Sequence, residues 1–252
     1  MEGTTYIENE IKHSVNEFSN LWVCQKQIRE WSHHPEWDSY DVLPVLYKAL
    51  HTGKKYVPGL SSSPKLIEVV RSTDAHISGS PANLLPEARY VYLLTSKYTT
   101  ALDTLLRRTP KTAEQTITDA AFSYYVFDRI HPFPDGNGRI GRMIVKRVFK
   151  GGGLKDPIFH DHAWYGEGRS EHLESLERVD ETNNLSHLEV FLAKSLINLY
   201  DPITEFFKYR EIAKIISKKE KEAEQNGGKK LSDIWEGFSG LPMYGNDSLV
   251  EN

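Results

Sequence analysis

The sequence of 252 residues holds a single cysteine, Cys24, so no intrachain disulfide can close and no cysteine-rich metal cage can be built. One thiol suits a reducing compartment, and a cytoplasmic location is the expectation. No charge pattern beside Cys24 would activate it, so a structural thiol is expected. Also missing is any run of about 18 apolar residues, which argues against a membrane span. Residues 1–6 have neither the basic start nor the apolar stretch of a signal peptide. There is no excess of positive charge either. The formal net charge is −4, which argues against broad electrostatic binding to nucleic acid. What remains is the ordinary balance of a soluble globular chain, long enough for one large domain or two small ones.

Apolar residues recur with helical period near Ile11–Trp31, Val42–Leu50, Ala88–Leu106, Ala113–Ile130, Ile140–Phe149, Ser170–Val179 and Leu188–Ile216. The chain is therefore expected to be all-α. The exception is Leu60–Pro86, rich in serine, glycine and proline, with an alternating stretch at Val69–Ile77 that predicts a small β-hairpin. From Lys218 the composition changes to a charge run, then Gly227-Gly-Lys-Lys and a polar end. This divides the chain into a domain at 1–217 and a charged, loosely ordered tail at 218–252.

The most informative segment is His131-Pro-Phe-Pro-Asp-Gly-Asn-Gly-Arg-Ile-Gly-Arg142. Thr112 and Gln115 have capping-box spacing at the start of the preceding helix. That helix must stop at Ile130-His131, because the residue before a proline avoids the α region. His131 is thus held at a helix end, and an unshifted imidazole is largely neutral at pH 7, as a general base must be. Gly136-Asn137-Gly138 can adopt positive φ and aim consecutive N–H groups at one point. At the start of the next helix such a nest binds anions. Asp135 would oppose a bare phosphate but makes sense as a Mg²⁺ ligand. Arg139 and Arg142 share a helix face and suit a polyphosphate, with Lys146 close by. Phe133, between two prolines, is expected to plug the core. The plain alternative is a polar turn with surface arginines. It does not explain a base, a metal ligand, a nest and paired arginines within twelve residues.

These residues, His131-x-Phe133-x-Asp135-Gly136-Asn137-Gly138-Arg139-x-x-Arg142, resemble the full signature of Fic-domain proteins. The resemblance implies an all-α Fic-fold bundle with a small β-hairpin flap, and AMP transfer from ATP to a protein hydroxyl. By position, His131 would deprotonate the target Ser, Thr or Tyr, and Asp135 would hold Mg²⁺. Gly136, Asn137, Gly138 and Arg139 would hold the α- and β-phosphates, and Arg142 the γ-phosphate. Arg71, Ser72, Thr73, Asp74, Ala75, His76 and Ile77 would form the flap that aligns the target by strand addition. The family's Tyr-Tyr pair at the base pocket is replaced here by His172-Leu173, which leaves another donor nucleotide open.

Thr4-x-x-x-Glu8-Asn9 resembles the inhibitory motif that some Fic proteins carry N-terminal to the core. A carboxylate delivered to Arg142 would form a bidentate pair and displace the γ-phosphate. The leading expectation is a self-inhibited protein adenylyltransferase. Its expected partners are ATP, a target protein of unknown identity, and the chain itself, both as a target and, by the resemblance, as a second subunit. Two rivals share these residues: removal of AMP from a modified protein, and a non-enzymatic nucleotide-binding module. His33-His34, His160-x-His162 and the tryptophans Trp22, Trp31 and Trp37 are read as structural rather than as ligands.

Overall fold

The computed structural model describes residues 2–76, 85–108, 111–155, 168–225 and 227–229, the side chains of 2–15 and 168–169 excepted. Among them are nine helices: α1 (Glu2–Trp31), α2 (Ser39–Thr52), α3 (Leu66–Val69), α4 (Ala88–Arg107), α5 (Ala113–Ile130), α6 (Asn137–Gly151), α7 (Gly168–Thr182), α8 (Ser186–Ile197) and α9 (Phe206–Glu224). The fold is all-α.

The axis of the molecule is α5, which is buried on nearly every side. Tyr98 of α4, Tyr124 and Phe127 of α5, and Phe133 beyond it form an aromatic core with almost no exposure. Thr112 caps α5, accepting a hydrogen bond from the Gln115 amide at 3.1 Å, as its spacing predicts. Helix α6 returns along α5. Gly141 permits that approach, since a Cβ there would stand 2.9 Å from Tyr124 Cε2. Helix α2 is capped by Asp38 and joined to α4 through Asp103, which accepts from the Ser39 amide and hydroxyl at 2.9 and 2.6 Å.

Two expectations change. The run Leu188–Ile216 is two helices. Asp201 accepts from the Ile203 and Thr204 amides at 2.8 and 2.7 Å, an Asx-type turn that interrupts the pattern. The stretch Val69–Ile77 contains no strand among its described residues. Val69 ends α3, and 70–76 are irregular, with Ile77 outside the described residues. Alternation misled here because Arg71 is 3% exposed and spends its side chain on backbone carbonyls rather than on a sheet edge.

At the other end, the compositional boundary at Ser217 falls inside α9. Lys219, within the charge run, is 2% exposed and sits 2.9 Å from Glu189, which is fully buried on α8. Trp31 is buried and its indole N–H donates to the Trp37 carbonyl at 3.3 Å, while Trp22 is half exposed under the Lys26 ammonium. None of the described helices is long and apolar enough to cross a membrane.

Candidate active site

The α5–α6 connection forms a cleft of about 460 Å³, lined by Glu17, His131, Pro134, Asp135, Gly136, Asn137, Gly138, Arg139 and Arg142. Every signature residue with a chemical role thus meets at one place. His131 caps α5 in the left-handed region, φ 49° and ψ 59°, with its amide donating to the Phe127 carbonyl. Backbone held in that region is strained for a residue with a Cβ. Three hydrogen bonds around Arg71 help hold it. The Arg71 amide donates to the Pro132 carbonyl at 2.8 Å, Nε to the His131 carbonyl at 2.9 Å, and Nη2 to the Pro86 carbonyl at 2.5 Å. Arg71 therefore tethers the segment that carries His131 and Pro132. Asp74 is likewise engaged, accepting from the Ala88 amide at the start of α4. Ser72, Thr73 and His76 are exposed beside them and Ala75 is half-buried.

The His131 ring places Nδ1 3.3 Å from the Asp128 carbonyl. A carbonyl only accepts, so Nδ1 carries the proton and Nε2 keeps its lone pair. Burial pushes the imidazole below its ordinary pKa. The Asp128 carboxylate and carbonyl oppose that, and Arg71 and Arg129 add to it. The ring is therefore neutral at pH 7.

The loop is closed by one side chain. Asn137 donates from Nδ2 to the Phe133 carbonyl at 2.7 Å and accepts at Oδ1 from the Phe133 amide at 2.9 Å. Its side chain, 3% exposed, shapes the loop, which leaves only its N–H for an anion. Phe133 is fully buried and stacks on Tyr47 at 4.8 Å, the plug that its flanking prolines suggest. Gly136 caps α6 at φ 81°, and a Cβ there would lie 2.7 Å from Leu50. The first amides of α6 have no acceptor within the helix and point into the cleft end of its dipole. Gly138 leaves room for Arg142, whose Nη1 would lie 3.3 Å from an added Cβ.

Asp135 is 70% exposed at the side chain and ion-paired to Arg139 at 2.9 Å. Its own slight burial raises its pKa, but the Gly136 amide, Arg139 and His51 outweigh that and hold it below the usual carboxylate range. An ionised, accessible carboxylate beside an anion nest fits Mg²⁺, which takes one or two carboxylates together with phosphate oxygens and water. No group of three or more metal-ligating side chains occurs among the described residues.

Three residues at the site carry no sequence signal. Glu17 of α1 reaches Arg139 at 3.2 Å, across 122 positions. His51 of α2 lies 3.6 Å from Asp135. Asp128 is three residues before the base but belongs to no motif read above. The inhibitory candidates Thr4, Glu8 and Asn9 lie on α1, but their side chains are outside the described residues. Lys146 donates to Gln25 of α1 rather than lining the cleft. His172 is buried against Tyr124 and Phe191, with ring centroids at 5.5 and 5.3 Å, and Leu173 is exposed.

An all-helical frame thus brings His131 at the end of α5, the turn at Gly136 and the two arginines of α6 to one cleft. Residues 71–148 match the Fic/DOC family. The chain is also 31% identical over 85 residues to the probable protein adenylyltransferase aq_aa38 of Aquifex aeolicus (strain VF5), a segment covering 31% of this chain and 27% of that protein. No solved structure matches the chain at a significant level.

Proposed function

We propose that the protein transfers AMP from ATP to a hydroxyl of a target protein and of itself, under restraint by its own N-terminal helix. One observation carries this reading: a neutral, oriented imidazole, an ionised carboxylate, a preformed nest and two arginines open on the same cleft. Phosphates at the α6 N-terminus, with Arg139 and Arg142 beside them, present the α-phosphorus to His131. The target hydroxyl oxygen attacks that phosphorus while its proton passes to His131 Nε2. The bond from phosphorus to the bridging oxygen breaks, and pyrophosphate leaves with the electron pair. A phosphodiester to the target remains, and the imidazolium returns its proton to solvent. Mg²⁺ held by Asp135 would neutralise phosphate charge.

Restraint by α1 rests on Glu17, which engages Arg139 and lines the cleft. Glu8 lies nine residues earlier on the same helix, about 13.5 Å and two and a half turns away. Self-labelling with radiolabelled ATP separates the two carboxylates. Replacing Glu17 by Ala removes a half-exposed pair from Arg139, which keeps Asp135 as its partner; such a pair is worth about 0.2–1 kcal/mol, and up to a fivefold gain in labelling at low ATP is expected. Glu8→Gly is expected to give the larger gain, because a carboxylate on Arg142 would exclude the γ-phosphate altogether. Unchanged labelling in Glu8→Gly removes Glu8 from the account; unchanged labelling in both removes the restraint. Running the Glu8→Gly variant against a panel of labelled nucleotides tests the donor in the same assay. Equal labelling by every nucleotide would contradict ATP as the donor.

Glu17 also supports a second reading, removal of AMP, in which a cleft carboxylate positions the attacking water. Release of AMP from a pre-modified protein, lost in Glu17→Ala, would favour it.

A further inference from the structure

Behind His131 lies a buried charge cluster that the transfer chemistry above does not use. Asp180 of α7 accepts from Arg129 at both oxygens, from Nε at 2.9 Å and from Nη2 at 2.6 Å. The Tyr125 hydroxyl donates to the same carboxylate at 2.6 Å. The remaining Arg129 nitrogen, Nη1, donates to Asp128 at 2.8 Å. The side chains of Arg129, Asp128 and Asp180 are 5%, 13% and 16% exposed. Two carboxylates therefore share one guanidinium, which leaves one carboxylate in surplus among these three side chains. Removing charges from water is costly unless they are paired, so an unbalanced negative charge in the interior calls for an explanation.

We infer that Asp128 is a positioning residue for the base, its carboxylate placed to balance the positive charge that His131 acquires, and Arg129 and Asp180 hold it there. This deepens the adenylyltransferase reading and rests on it. The connection is direct in the chain, since Asp128 gives its carbonyl to His131 Nδ1 and its carboxylate to Arg129. One residue thus sets the tautomer through its backbone and the field through its side chain. Burial raises the Asp128 carboxyl, and Arg129, His131 and Arg142 pull it back while Asp180 raises it further. Glu17 of α1, Asp135, and Arg139 and Arg142 of α6 line the cleft that His131 faces, and the three charges that act most strongly on its ring are Asp128 and Arg129 on α5 and Arg71 ahead of α4. Asp128 is the only acid among these three. When the target proton arrives on Nε2 the ring becomes imidazolium, and the surplus carboxylate of the Asp128–Arg129–Asp180 group then has a second cation to face. Without Asp128, Arg71 and Arg129 would oppose that protonation.

The test is the His131 pKa, read by NMR titration of the ring with the signal assigned by its loss in His131→Asn. Asp128→Asn keeps the shape and the backbone carbonyl but removes the charge. Its removal should lower the His131 pKa by about one pH unit, the lower end of what an adjacent opposite charge produces. The acid limb of kcat/KM for labelled AMP transfer should move down with it, because the base stays neutral to lower pH. The plateau rate should fall at least tenfold with ATP affinity unchanged, since the imidazolium is no longer balanced. Asp180→Asn, further from the ring, should move both readouts the same way by less, and serves if Asp128→Asn melts early. A folded Asp128→Asn or Asp180→Asn protein whose His131 pKa and acid limb match the parent overturns the inference. A His131 pKa that falls in a chain transferring no nucleotide supports the inference and counts against the adenylyltransferase reading.

Discussion

His131→Asn should reduce AMP transfer by about 10²–10⁴-fold, the contribution of a positioned general base, while ATP still binds. The choice of asparagine matters. His131 sits at φ 49°, a region asparagine tolerates far better than most residues with a Cβ. The α5 cap therefore survives in His131→Asn. His131→Ala loses the same chemistry and adds roughly 1–2 kcal/mol of left-handed strain, so it should match the Asn variant in rate and melt a few degrees lower. Nucleotide binding should persist in both, because the α6 amides, Arg139 and Arg142 are untouched. Transfer of labelled AMP in His131→Asn within tenfold of the parent would remove His131 as the base. Loss of ATP binding in both variants would instead make the ring part of the nucleotide pocket.

Lys219→Met should destabilise the fold by about 3–5 kcal/mol, the range for breaking a buried ion pair from one side. At this chain length that corresponds to a melting temperature lower by roughly 6–20 °C. Lys219 is the cation for Glu189 at 2.9 Å and for Glu222 at 2.9 Å, with Glu114 at 3.5 Å. Glu189 is fully buried, and its other oxygen accepts from Thr118 on α5. Methionine fills the volume but leaves Glu189 charged and unpaired in the interior. The double variant Lys219→Met/Glu189→Leu removes both charges and should recover most of the loss, because apolar replacement of a whole buried pair is close to neutral. A single variant melting within two degrees of the parent would show that water reaches Glu189. The double variant melting below the single would show that the pair is itself a source of stability.

How far the sequence was legible depends on the range of each interaction. Thr112 as a cap, the stop before Pro132 and Phe133 as a plug were all readable, because each depends on neighbours within a turn or two. The run Leu188–Ile216 failed on a short-range signal given too little weight: Asp201-Pro202 can fold its own turn, and apolar period alone passes over it. Val69–Ile77 failed differently. The alternation is real, but Arg71 is consumed by the carbonyls of His131, Thr73 and Pro86. A guanidinium inside a loop looks the same in one dimension as one on a strand face. Glu17, His51, Asp180 and Lys219 could not be found in the sequence. Each acts across tens of residues, from 30 between Glu189 and Lys219 to 122 between Glu17 and Arg139. Nothing beside them in the chain marks the partner.

The small ring that Asn137 closes around Phe133 has a consequence for timing and heat. A loop that had to gather itself around a nucleotide would charge the binding step with the ordering of several residues, each worth about 1–2 kcal/mol of backbone freedom. Here both bonds of that ring join protein to protein, and Asn137 and Phe133 are already buried. Under the proposed function an arriving triphosphate would meet a loop already closed, its ordering completed when the chain folded. Calorimetry should accordingly find little entropy lost at this loop on binding, and the rate of capture should be set by diffusion and by whatever holds the arginines, not by the loop.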